Sequence, residues 1–177
     1  MKCFPFMVNI EGRTCLLVGG GAVAARKAEK LAPFGVKLLV CAREVCPALA
    51  PYRLAEEYGA ELLEAVDFVI AATDDKALNA RVAEDCRARR IPVNSADDRE
   101  NCDFYFPALL TRGDVTVGIS TGGSSPALAG KLRRYLEKVL PQGLAQLAEE
   151  AGRLRGTDGY LPYVAGIFDR EDSDGED

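Results

Sequence analysis

The chain alternates between continuous apolar runs and stretches that repeat apolar residues every three to four positions. "RTCLLVGGG" is an apolar run leading into glycines, the pattern of a buried strand that ends in a tight turn. "AVAARKAEKLAPFG" follows with helical spacing and a stop at Gly35. "VKLLVCA" predicts a second strand, and "PALAPYRLAEEYG" predicts a helix broken at Pro51. "AELLE" is expected to be a third strand, set almost directly against "VDFVIAAT", an apolar run of the kind buried on both faces of a parallel sheet. No helix fits between those two, which leaves the sheet order around Glu61 to Val66 open. "DDKALNARVAEDCRARR" predicts a helix whose acidic start and basic end match the macrodipole, and "IPVNSA" another strand. Strands alternating with helices predict a parallel α/β sheet with right-handed crossovers.

Beyond Pro107 the pattern changes. "ALLTRGDVTVGIST" predicts two short strands around an Arg112-Gly113-Asp114 turn. The glycine-rich "TGGSSP" then leads into a helix, "ALAGKLRRYLEKVL", with Ser125 as N-cap and Pro126 at its first position. A break at "PQG" precedes a second helix, "LAQLAEEAGRLR". The closing "DREDSDGED" is acidic, lacks apolar residues and is expected to be disordered.

Composition narrows the range of functions. The 177 residues are 48% hydrophobic and 28% charged, with a formal charge of -5 and basic residues scattered along the chain. A nucleic-acid partner is not expected, because neutralising phosphates takes a basic face. No apolar segment approaches the length of a membrane span. The six cysteines form no C-x-x-C pair and no zinc-ligand spacing, so no resident metal is expected. Without a signal-like N-terminus they are read as reduced thiols of a cytoplasmic protein. There is no histidine, so acid–base chemistry must rest on carboxylates, thiols or a cofactor.

"LLVGGGAVAARK" fits G-x-G-x-x-A with Gly19, Gly21 and Ala24. The first glycine permits a tight turn, the second lets backbone approach a diphosphate, and the small third residue lets helix and strand pack closely. Placed between a strand and a helix, this loop predicts dinucleotide binding at a helix N-terminus. The acidic residue expected for the adenosine ribose belongs at the end of the second strand, where the chain has Cys41, Arg43 and Glu44. Glu44 falls slightly late for that role, and Arg43 suits either a 2′-phosphate or the face of adenine. NAD and NADP are both open on these residues alone. Two more stretches end strands, "AATDD" and "VNSADD". Asp74 and Asp75 also suit helix capping, with Thr73 or Asp74 opening the next helix. Asp97 precedes no evident helix and lies between the cofactor edge and the aromatic run Phe104 to Phe106.

"VGGGAVAARKAEKL", "AATDDKALN", "VNSADDRENCDFYFPA" and "ISTGGSSPALAGKLR" occur in that order. Together they resemble the NAD-dependent precorrin-2 dehydrogenases, including the N-terminal module of siroheme synthases, over about residues 3 to 155. The resemblance implies a Rossmann-like NAD-binding domain, a small α+β dimerisation region and a helical C-terminal segment. The change of pattern places a boundary near Asp103 to Pro107, so these are expected over residues 1–106, 107–141 and 142–170, and composition adds the acidic tail over 171–177. The resemblance also implies an intertwined homodimer, with an active site between domains that oxidises precorrin-2 to sirohydrochlorin; some members also insert ferrous iron. It assigns catalysis to Asp97. It places NAD contacts at Ala22, Val23, Arg43 and Glu44; Gly19, Gly20 and Gly21 of the glycine motif, and Thr73 and Asp74 at a strand's carboxyl end, are expected to bind the cofactor as well. Substrate contacts are expected from Asn94, Ser120, Thr121, Gly122, Ser124 and Arg112, the last near the start of the "PALAGKLRR" helix, where free N–H groups suit an anion. A phosphorylated serine of some members falls on Ser120 or Thr121. Two departures stand out: the short connection near Glu61, and Ala22 in place of a residue that is often polar.

Loss of a hydride from a reduced tetrapyrrole is accompanied by loss of a proton, and a carboxylate can accept it. Asp97 is the candidate, with Asp98 directed elsewhere if the backbone stays extended. Core packing is the more common role for a run such as Phe104 to Phe106. Two other functions fit the same residues: a non-enzymatic dinucleotide sensor, and a tetrapyrrole chelatase or carrier without hydride transfer.

Overall fold

The apolar run at Thr14–Val18 forms β1, the middle strand of a five-stranded sheet. Around it lie β2 (Lys37–Cys41), β3 (Arg53–Ala55), β4 (Phe68–Ala71) and β5 (Val93–Ser95), in the order β3-β2-β1-β4-β5. All pairings are parallel. This computed structural model describes residues 3–96 and 98–169. The chain divides into two compact units, Pro5–Phe106 and the residues from Pro107 onward together with Cys3 and Phe4.

A strand inside a doubly covered sheet must be apolar on both faces, and the packing shows it. Leu16, Val18, Val69 and Ala71 point to one face and meet Val82, Ala83 and Cys86 of α2 (Lys76–Arg89). Cys15, Leu17, Phe68 and Ile70 point to the other and meet Ala24 and Leu31 of α1 (Ala22–Leu31). The buried cysteines act as small hydrophobes: burial pushes the Cys15 and Cys86 thiols up to about 12, so both are neutral at physiological pH.

Two expectations are corrected. "PALAPYRLAEEYG" is not a helix: Pro51 lies in a single 3-10 turn, Ala50–Tyr52, after which the chain extends into β3. "AELLE" is not a strand but a 3-10 turn, Ala60–Leu63. The third strand therefore lies earlier than expected, at the edge beside β2. The return to β4 carries no long helix, but Leu63 and Val66 plug into the α2 side of the core. Tyr58 donates to Asp85 Oδ2 of α2 at 3.1 Å. Two apolar plugs and a hydrogen bond thus stand where a crossover helix would otherwise cover the sheet.

In the other unit β6 (Ala108–Arg112) and β7 (Val115–Ile119) pair antiparallel across the Gly113-Asp114 turn. Three helices follow: α3 (Pro126–Val139), α4 (Leu144–Leu154) and α5 (Tyr160–Asp169). Ser125 caps α3 by accepting from the Leu128 N–H at 3.2 Å. Among the described residues no helix is long and apolar enough to cross a membrane.

Candidate functional site

The strand order reverses between β1 and β4, so a crevice opens outside the carboxyl ends of these strands. Its volume is about 1090 Å³. The glycine turn lies at its base. Gly19 has φ +124, a region open to glycine, and a Cβ there would run into the Ala72 carbonyl. A Cβ on Gly20 would strike the Glu44 carbonyl, whereas one on Gly21 would meet nothing within 4 Å. The first two glycines therefore let strands pack, and the third leaves room for a ligand. Backbone bonds fix the turn: Gly19 donates to the Cys41 carbonyl at 2.9 Å, and Cys46 donates to the Gly20 carbonyl at 2.9 Å.

No side chain caps the start of α1, so its first N–H groups face the crevice with the positive end of the helix dipole. This cradle fits a dinucleotide diphosphate. Ala22 and Val23 on α1, Arg43 and Glu44 after β2, and Thr73 and Asp74 after β4 line the same crevice.

Asp75, rather than Thr73 or Asp74, caps α2, accepting from the Ala77 and Leu78 N–H groups at 2.9 and 3.1 Å. Asp74 is left exposed at the crevice. Thr73 is held by a residue that sequence reasoning missed. Asn79 is 2% exposed; its Oδ1 accepts from Thr73 Oγ1 at 2.8 Å and from Thr73 N–H at 3.2 Å, and its Nδ2 donates to the Thr73 carbonyl at 3.0 Å. The available signal was an Asn inside "KALNARV", a poor helix residue on an otherwise helical stretch. Asn79→Ala is expected to cost about 2–4 kcal/mol, because the half-buried Thr73 loses the partners of its N–H, carbonyl and hydroxyl groups. A urea midpoint measured with and without dinucleotide checks it; an unchanged midpoint would remove Asn79 from this role.

Beyond β5 the polar groups are used internally. Asn94 is 4% exposed, donating to the Phe104 carbonyl at 2.8 Å and accepting from Lys27 Nζ at 2.6 Å. Lys27 also lies 4.5 Å from the centre of the Phe106 ring, and burial lowers its pKa. Cys102 Sγ accepts from the Ser95 N–H at 3.2 Å and lies 3.1 Å from the Ser95 and Asp98 carbonyls, pinning both flanks of the loop. Asp98 closes that loop by accepting from the Glu100 N–H at 2.9 Å and Asn101 Nδ2 at 2.7 Å. Asp97 lies outside the described residues. Phe104 packs edge-on against Phe68, with ring centres 5.9 Å apart, and so belongs to the core.

In the other unit, Ser120 Oγ accepts from the Gly122 N–H at 3.2 Å and Thr121 Oγ1 from the Ser125 N–H at 3.0 Å. Gly122 and Gly123 have φ +60 and +82, and Ser124 is exposed. Arg112 is a correction. It lies at the opposite end of α3 from Ser125, donating to the Leu140 carbonyl at 2.6 Å, the Glu137 carbonyl at 2.7 Å and the Pro141 carbonyl. A guanidinium satisfies several orphan carbonyls at a helix C-terminus and meets its negative dipole end.

The fold and its glycine cradle define a dinucleotide-binding domain of the Rossmann type. A family described as "Putative NAD(P)-binding" matches residues 6–108, and one described as "Sirohaem biosynthesis protein central" matches residues 112–138. The chain belongs to this NAD(P)-binding family. Siroheme synthase of Sodalis glossinidius is 42% identical over 163 residues, 88% of this chain and 35% of that protein. Siroheme synthase of Neisseria meningitidis serogroup B is 43% identical over 165 residues, again 88% of this chain and 34% of the relative. The chain thus spans about a third of the length of these curated relatives. A solved structure described as SirC, precorrin-2 dehydrogenase, is similar with a TM-score of 0.69 and 25% identity, covering 86% of this chain and 79% of that one.

Proposed function

We propose that this chain is a cytoplasmic enzyme that oxidises precorrin-2 to sirohydrochlorin, with NAD as acceptor. The observation that carries the proposal is the crevice, which runs from the glycine cradle to Ala96, the residue next to Asp97 in the chain. The likeness to the siroheme synthases and to a precorrin-2 dehydrogenase supports the substrate. NAD, when bound, supplies the hydride acceptor. The protein's part is to anchor the diphosphate at Gly21 and α1, and to take up the proton released with the hydride. We assign that proton to the Asp97 carboxylate. Ser120, Thr121, Gly122 and Ser124 remain proposed substrate contacts, while Asn94 acts through the loop it anchors.

Precorrin-2 incubated with the protein and NAD should give sirohydrochlorin and NADH together, followed by absorbance. Binding of NAD without conversion would favour a dinucleotide sensor. Binding of sirohydrochlorin without any response to NAD would favour a chelatase or carrier. Adding ferrous iron to the same assay tests insertion of the metal as a second step.

We also propose a homodimer. Leu128, Leu132, Tyr135 and Val139 are exposed at spacings of four, three and four along α3, which puts them on one face. A second copy would cover this stripe. Leu132→Asp is expected to weaken the dimer by at least about a hundredfold, read as a fall to monomer mass in light scattering. A wild-type protein already monomeric at high concentration, or a dimeric variant, would remove α3 from the interface.

A further inference from the structure

The sequence left NAD and NADP undivided, and the end of β2 holds the pieces that divide them. β3 lies beside β2, and the Ala42 N–H donates to the Ala55 carbonyl at 3.0 Å, tying the two strand ends together. The residues just after β3 therefore face the crevice beside Arg43 and Glu44. Glu57 is one of them, and its Oε1 lies 2.7 Å from Arg43 Nη2. Both side chains are about three-quarters exposed, at 77% and 74%, so the pair adds little to folding. Its effect is on the charge that a ligand meets.

We infer that Glu57 sets the preference for NAD over NADP, by occupying the Arg43 guanidinium that lines this part of the crevice. The inference rests on the dinucleotide reading of the glycine cradle. Carboxylates accept hydrogen bonds from the two ribose hydroxyls of NAD, a role open to Glu44, while Glu57 is committed to Arg43. Arg43, its charge balanced by Glu57, can lie against adenine without attracting a phosphate. A 2′-phosphate would have to draw Arg43 away from Glu57, since arginine is the natural fork for phosphate. It would then sit beside the released Glu57, with Glu44 and Glu56 also lining the crevice. Glu56 is itself held by Arg53 at 2.5 Å, so Arg53 is not free to compensate. Discrimination here comes from repulsion of the wrong ligand as much as attraction of the right one.

The test uses the fluorescence of NADH and NADPH on titration with the full chain. Wild type is expected to bind NADH at least about tenfold more tightly than NADPH. Glu57→Gln keeps the side-chain shape, frees Arg43 and should tighten NADPH binding by about tenfold, with NADH changing less than about threefold. Adding Arg43→Ala should cancel the gain, and high salt should shrink it. Equal affinities in wild type, or no NADPH gain in Glu57→Gln while NADH still binds, would overturn this inference alone. If neither dinucleotide binds wild type, the glycine-cradle reading falls with it.

Discussion

Gly21→Asp will lose NAD binding by about a thousandfold while the protein stays folded. The geometry separates the two effects. Gly21 has φ −84 and ψ −171, extended backbone that any residue adopts, and a Cβ there meets nothing within 4 Å. It is the N-cap of α1, a position where aspartate is favoured over glycine by a few tenths of a kcal/mol. The carboxylate also suits the positive end of the helix dipole. It would therefore satisfy the same N–H groups that a diphosphate needs, and repel the diphosphate as well. The melting temperature is expected to stay level or rise slightly. Gly20→Ala is the contrast: its methyl would strike the Glu44 carbonyl and cost about 1–3 kcal/mol through the strand packing. Calorimetric titration with NAD and thermal melts on both variants check the pair. Retained NAD affinity in a folded Gly21→Asp protein would show that the ligand does not use this turn.

How much of this was legible in the chain depended on how local the signal was. β1 and β4 could be read because residues covered on both faces must be apolar without interruption, and Leu16 and Leu17 point into opposite halves of the core. The glycine turn was legible because its constraint lies in the backbone of neighbouring residues. The cap of α3 was legible for the same reason, since Ser125, Pro126 and Leu128 are close in sequence. β3 was not. Its three residues carry too short a pattern to outweigh the apparent helical spacing around them, and pairing with β2 decides their state. The turn at Ala60–Leu63 deceived for the opposite reason: an apolar pair suggested a strand, while Leu63 is buried from a 3-10 turn. Asn79, Arg112 and Glu57 act on partners 6, 25 to 29 and 14 residues away. No spacing rule reveals such contacts before the chain is folded. Arg112 shows the risk: beside a glycine-rich helix start it looked like an anion ligand, and the fold placed it at the far end of that helix.

Asp97→Ala is expected to lower the rate of sirohydrochlorin formation by about 10²–10⁴-fold, the usual contribution of a positioned proton acceptor. NAD affinity should stay near wild type, because the diphosphate cradle lies on β1 and α1. A loss of rate alone would not separate chemistry from collapse of the loop, and the neighbouring residues provide that separation. Asp98 holds Glu100 and Asn101, and Cys102 holds Ser95 and Asp98, so Asp98→Ala and Cys102→Ala loosen the loop without removing the proposed acceptor. If Asp97 is the proton acceptor, Asp97→Asn should be as slow as Asp97→Ala, since an amide keeps the shape but cannot take the proton. The two loop variants should retain more activity and lose more thermal stability. Equal damage from all four would make the loop's shape the requirement, and wild-type turnover in Asp97→Ala would move proton acceptance to another group.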